Sequence, residues 1–198
     1  MLDMTIALLA FLFPLAYSPG PGNMVFAANG ARFGLRATVP ANIGYHIATW
    51  LVTSAIGFGF AIAIVEFESL FTLIQWAGAA YVLYLGWCLF RAGTLQGNAE
   101  ARPAGFLDGV LLLVLNPKAY VIMVLMFSQF LGGFGEHRPE MVLWITSVFT
   151  ANNLLAFVVW TVIGDRIAAR FRDHEQAQLL NRIFGGMLGL VAVWMAVA

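Results

Sequence analysis

The sequence predicts an all-α membrane protein: six transmembrane helices in two inverted three-helix repeats, with helices one and four broken. Three observations carry this. Of 198 residues, 61% are hydrophobic and only 10% charged, with a mean hydropathy of +0.85. Soluble domains carry roughly 25% charged residues, and so few charges could not cover a water-facing surface. The charge-free stretches are also long: residues 4–31, 37–65, 69–90 and 141–164 contain no Asp, Glu, Lys or Arg, and about 20 apolar residues span a bilayer. Finally, proline-bearing interruptions fall at corresponding places in the two halves.

Taken in order, spans one, two, three and five are those four stretches. Span one is too long for a signal-peptide core, and Asp3 stands where a basic flank would be expected, so it is kept as a span. Span four lies in 109–135, whose single charge is Lys118. Span six starts near Leu179, with Arg182 reaching to the interface. The apolar runs are continuous and not alternating, which excludes a membrane barrel.

Formal net charge is zero, so nucleic acid is not an expected partner; the distribution of charge is the informative part. Arg32 and Arg36, Arg91 and Arg102, and Arg166, Arg170 and Arg172 fall in loops one, three and five. Loop two holds Glu66 and Glu68, and loop four sets Arg138 between Glu136 and Glu140. The Lys/Arg bias puts loops one, three and five in the cytoplasm and both termini outside, in the plasma (bacterial inner) membrane. The single cysteine, Cys88, excludes an internal disulfide and reads as a packing residue.

A faint repeat runs through the chain. Ser18-Pro19 recurs as Asn116-Pro117; Asn42 and Trp50 are eight apart, as are Asn152 and Trp160; Gly78 and Trp87 are nine apart, as are Gly185 and Trp194. Three spans per half force opposite orientations, the inverted plan of many secondary transporters. The division is residues 1–95 and 106–198, joined by a cytoplasmic linker at 96–105.

Ser18-Pro19-Gly20-Pro21-Gly22-Asn23 interrupts span one. Its prolines remove two backbone donors and strand the carbonyls of Leu15 and Tyr17, a defect tolerated in a bilayer only inside the bundle. In span four, Asn116-Pro117-Lys118 reads as an N-cap, a first-turn proline and a new helix start. Counted from Arg32 and Asp108, the two prolines Pro21 and Pro117 lie about 16 and about 14 Å deep. A lysine at a helix N-terminus in mid-bilayer calls for an anion. Lys118 is therefore either a carboxylate anchor or a lock onto the stranded carbonyls. Ser18 to Asn23 with Asn116, Pro117 and Lys118 form the expected substrate site.

These residues also carry a resemblance. The 18–23 motif followed by Asn29-Gly-Ala-Arg-Phe-Gly34 resembles the opening of the LysE/RhtB superfamily of amino-acid exporters. Phe106-x-x-Gly109 leading to Leu115-Asn-Pro-Lys-Ala119 is similar to its fourth-span motif, and Ala80-Tyr-x-x-Tyr-Leu-Gly-Trp87 to its third span. Gly22-Asn23 follows the second proline, where many members have Asn or Asp directly. The resemblance implies export of amino acids or their derivatives driven by the proton gradient.

Other polar residues within the spans have two readings each. His46 is a proton relay or a hydrogen-bonded core histidine; Asn42, Asn152 and Asn153 are substrate contacts or interhelical glue; Asp108 is a coupling residue or a solvated residue at the mouth of span four. The three histidines have no metal-ligand spacing, and no phosphate loop or nucleophile elbow occurs. Neither a cofactor nor an enzyme activity is expected. The expected partners are an amino-acid-like substrate, protons, the bilayer and a second copy in a homodimer. The alternatives are a carrier or channel for another small solute, such as a metal ion or metabolite, or a non-transporting membrane subunit.

Overall fold

The computed structural model describes residues 1–60, 68–91, 102–132, 138–170 and 174–197. Among these, eight α-helices account for the architecture and there is no strand. They are α1 (Leu2–Tyr17), α2 (Pro21–Phe33), α3 (Val39–Ala55), α4 (Glu68–Arg91), α5 (Phe106–Val114), α6 (Pro117–Phe130), α7 (Arg138–Ala169) and α8 (His174–Val197).

Helices one and four of the sequence reading are both broken. The axes of α1 and α2 differ by 62° and those of α5 and α6 by 63°. At the first break Ser18 and Gly20 are extended, and at the second so is Asn116. Each proline then occupies the opening turn of the next helix, where its missing N–H costs nothing. α2 ends at Gly34, whose φ of 81° is open to glycine and rarely to other residues. α3 runs into a wider turn at Ile56–Phe60.

Among the described residues, two segments are long and apolar enough to cross a bilayer alone, Arg138–Ala169 and Gln178–Val197; each bent pair taken as one span raises this to four. α3 has 17 residues and leads towards 61–67, which with Glu66, linker residues 96–101, Glu136, His137 and Arg172 lie outside the described residues. α7, with 32 residues, is about 48 Å long; it overruns the charge-free stretch 141–164 at both ends.

Large apolar side chains face outward as well as filling the core. Phe13, Leu51, Trp87 and Leu190 are exposed, while Asn23, Asn116, Asn153 and Thr161 are buried. That distribution suits lipid as the outer solvent. The broadest contacts run α2 along α7, α3 along α5 and α4 along α8; α6 meets α1, α4 and α7 only slightly. Glycines set all three broad contacts, Gly86 facing Gly185 between α4 and α8. A methyl on Gly44 would overlap the carbonyl oxygen of Phe106, and one on Gly109 that of Ala41; Gly30 and Gly164 meet Thr161 and Ala27 in the same reciprocal way. Small residues at such crossings let helix backbones touch.

Candidate functional site

The break after α1 leaves the last carbonyls of a helix without intrahelical donors. Side chains take all four. Ser18 Oγ donates to Leu15 O at 3.1 Å, and Trp160 Nε1 to Tyr17 O at 3.2 Å. Asn23 Nδ2 donates to both Ala16 O and Ser18 O, at 2.8 Å each. Lys118 Nζ, arriving from α6, donates to Ser18 Oγ at 2.9 Å and to Ser18 O at 3.5 Å. The two carbonyls expected to be stranded, Leu15 and Tyr17, are thus held inside the bundle. Lys118 meets span one at Ser18 and reaches neither of those two carbonyls.

The two helix starts face one small cavity of about 30 Å³, lined by Gly20, Asn23, Tyr45, Asn116, Lys118 and Asn153 among others. Neither α2 nor α6 has a side-chain cap. Asn116 sits in the N-cap position as expected, but its side chain does not cap. It is drawn off to Tyr45, whose Oη accepts from Asn116 Nδ2 at 3.3 Å. The first intrahelical bonds are those of Met24 to Gly20 O and Ala119 to Asn116 O, so the N–H groups of Gly22, Asn23 and Lys118 precede them. Uncapped N-termini favour an anion.

The cavity also contains acceptors. Asn23 and Asn116 are 4% and 5% exposed, and the Oδ1 of each is buried with no partner among the described residues. Donors of positive character and free amide oxygens therefore meet in one place, which is the complement of a zwitterion. The volume admits about one water, so this conformation is closed around its centre. Aromatic rings fill the rest: Phe157 lies 4.5 Å from Tyr45 and 4.7 Å from Phe26 between centroids. A Cβ on Gly22 would come within 2.5 Å of Phe157 Cζ, so that glycine gives the ring its place.

Ser18, Pro19 and Pro117 belong to the two break segments, and Gly20, Pro21, Gly22, Asn23, Asn116 and Lys118 line the cavity. His46, Asn42, Asn152 and Asp108 do not line that cavity, though His46 packs edge-on against its Phe157 at 5.3 Å. His46 Nδ1 donates to Asn42 O at 2.8 Å, and both residues line an apolar groove between α3 and α7 beside Trp50 and Leu51. Asn152 is half-buried outside the central cavity; its neighbour Asn153 occupies the wall. Asp108 accepts from Gly105 N at 2.7 Å, Tyr81 Oη at 3.1 Å and Arg102 at 2.8 and 3.3 Å. It caps α5 and anchors the chain entering it. Tyr45, Phe157 and Trp160 are site residues that local reading did not mark; Tyr45 and Trp160 offer the signal of a polar aromatic whose O–H or N–H needs a partner when buried, and Phe157 offers none. Among the described residues no group of three His, Cys, Asp or Glu could hold a metal ion.

Bent helix pairs that bring two uncapped N-termini and a lysine together are the arrangement expected of a membrane transport site. The chain belongs to the family described as LysE type translocator, whose family model matches residues 13–198; members of that family are transporters, not enzymes. It is 31% identical over 186 residues to an uncharacterized membrane protein of Vibrio cholerae serotype O1, covering 91% of this chain and 89% of that one. It is 27% identical to a homoserine/homoserine lactone efflux protein of Salmonella typhi, over 93% of this chain and 91% of that one. It is also 27% identical to a cysteine/O-acetylserine efflux protein of Klebsiella pneumoniae subsp. pneumoniae, over 96% and 94%. No solved structure matches.

Proposed function

We propose that this chain is a secondary exporter of small neutral amino acids or their derivatives, driven by proton antiport across the inner membrane. The observation that carries the proposal is the central cavity, where Lys118 and two helix N-termini face the free oxygens of Asn23 and Asn116. The carboxylate of a substrate displaces Lys118 from Ser18 and sits against the N–H groups of Gly22, Asn23 and Lys118. Its ammonium turns to the two asparagine oxygens. The related efflux proteins are named for homoserine, homoserine lactone, cysteine and O-acetylserine, none of which has a charged side chain at neutral pH. This agrees with a cavity wall that offers a side chain Phe157 and Leu113 and no carboxylate.

In this reading the chain crosses the membrane six times as inverted halves 1–95 and 106–198, linked through 96–105, with both termini outside. The near-equal bends of the two broken pairs, 62° and 63°, support it. So does an asymmetry of packing. Exchange of the halves would turn the contact of α2 with α7 into that of α6 with α3, and the contact of α3 with α5 into that of α7 with α1. The first of each pair is the broader. A carrier closed at one end has this imbalance, and rocking one half on the other exchanges it. The closed end is the one bearing Arg32 and Arg102, which the Lys/Arg bias assigns to the cytoplasm.

The test is efflux from proteoliposomes loaded with a panel of labelled neutral amino acids under an imposed pH gradient. Efflux of one or more, accelerated by acid outside, is the expected result. Passive leakage alone for the whole panel refutes the proposal.

A further inference from the structure

A second cavity, of about 220 Å³, opens at the end of the bundle where α2, α4 and α8 meet the chain leading into α5. Its wall carries Asn29, Arg32, Cys88, Arg102 and Asp108. The two arginines differ. Arg102 is tied to Asp108 at 2.8 Å, whereas Arg32 has a buried Nη1 with no hydrogen-bond partner among the described residues, its guanidinium resting over the Phe33 ring at 5.0 Å. Asn29 is 7% exposed; its Oδ1 accepts from Ala104 N at 3.1 Å, and its Nδ2 is buried without a partner among the described residues. One charged and one neutral side chain of the same cavity wall thus each keep a covered donor unsatisfied, which turning towards a ligand in the cavity would satisfy.

From this juxtaposition we infer that the cavity is a second binding site, one that holds a carboxylate between Arg32 Nη1 and Asn29 Nδ2. A carboxylate suits the pair because it offers two acceptor oxygens, and the bond to guanidinium is charge-assisted. The volume of about 220 Å³ admits a whole small amino acid, unlike the closed centre. A small void lined by Phe26, Asn29 and Asp108 lies beside it, and Phe26 packs, tilted, against Phe157 of the central cavity at 4.7 Å. The site's role rests on the export reading: it loads substrate by its carboxylate outside the Phe26 barrier, and movement of that ring passes it on.

The chain supplies its own reporter, because Cys88 is its single cysteine and lines this cavity. Intact protein in lipid nanodiscs is treated with iodoacetate or iodoacetamide. In either reaction the Cys88 thiolate forms a bond to the reagent's methylene carbon, iodide leaves and the thiol proton passes to buffer. The reagents differ in carrying a carboxylate or an amide. The ratio of their rates, divided by the same ratio for N-acetylcysteine, is expected to be about tenfold above one, the size of one charge-assisted hydrogen bond. Arg32→Gln should bring it close to one. So should Asn29→Asp, which keeps the acceptor for Ala104 N but replaces the donor with a carboxylate. An unchanged iodoacetamide rate marks the cavity as intact in each variant. A normalised ratio of one in the unaltered protein overturns the inference, as does Cys88 inert to iodoacetamide, or a ratio that falls only on Arg102→Gln. Neither reagent is a substrate, so absence of efflux beside a raised ratio refutes the exporter and leaves the site. Efflux beside a ratio of one does the reverse.

Discussion

Lys118→Met separates the two readings of that lysine, because the surrounding hydrogen bonds make its structural and functional costs unequal. Lys118 Nζ donates to Ser18 Oγ at 2.9 Å and Ser18 O at 3.5 Å. Neither acceptor is orphaned by its loss. Ser18 O retains Asn23 Nδ2 at 2.8 Å, and Ser18 Oγ still donates to Leu15 O. On the proposed membrane placement, removing the ammonium also returns about 2.5–3.5 kcal/mol on insertion scales. The variant should therefore be at least as stable as the parent. Loss of a charge-assisted bond to a substrate carboxylate costs about 1.5–3 kcal/mol, so KM for efflux should rise about 10- to 150-fold. The assay is proteoliposome efflux of L-homoserine beside L-homoserine lactone, or of whichever amino acid the panel identifies beside its methyl ester. The lactone and ester lack a free carboxylate, and their KM should barely move. An equal rise for both members of the pair would refute the anchoring role. So would unchanged efflux combined with a lowered Tm.

Three further outcomes follow from the same geometry. Asn23→Ala removes the partner of Ala16 O and one of two partners of Ser18 O, which costs about 1–3 kcal/mol; a thermal melt in detergent should place its Tm clearly below that of Lys118→Met. Gly164→Ala and Gly109→Ala each push a methyl into a facing carbonyl, of Ala27 and of Ala41, whereas Gly186 has open space around it. Overpacking of this kind costs about 1–3 kcal/mol or more, so both should melt earlier than the parent while Gly186→Ala does not. Phe157→Leu shortens the ring that fills the central cavity beside Gly22 and Tyr45; in competition efflux it should shift preference towards amino acids with larger side chains, and an unchanged ranking would remove Phe157 from the substrate wall.

The helix breaks were legible in the sequence because proline acts locally: each removes a donor at a known place, and the carbonyls of Leu15 and Tyr17 needed partners whatever the fold. The partners themselves were not legible. Trp160 lies 143 residues from Tyr17 and had stood out only as a member of a weak repeat. The same limit explains Asn152 and Asn153. They are consecutive, about 100° apart around a helix, and without the rotation of α7 against its neighbours nothing selects the one that reaches the cavity. Asn116 shows a different limit. Its position at the start of α6 followed from Pro117, but Tyr45 Oη competes for its amide and takes it from the cap.

The four side chains bonded to the end of α1 bear on the half of the proposed cycle in which no substrate is carried. A transporter that has released its cargo must reset before it can work again, and any polar group left bare during that step slows it. Here Ser18, Asn23, Trp160 and Lys118 cover the open carbonyls while the centre is too small for cargo. In the proposed antiport, the lysine that would meet the cargo thus has a resting place on Ser18 during the return leg, when a proton is carried instead.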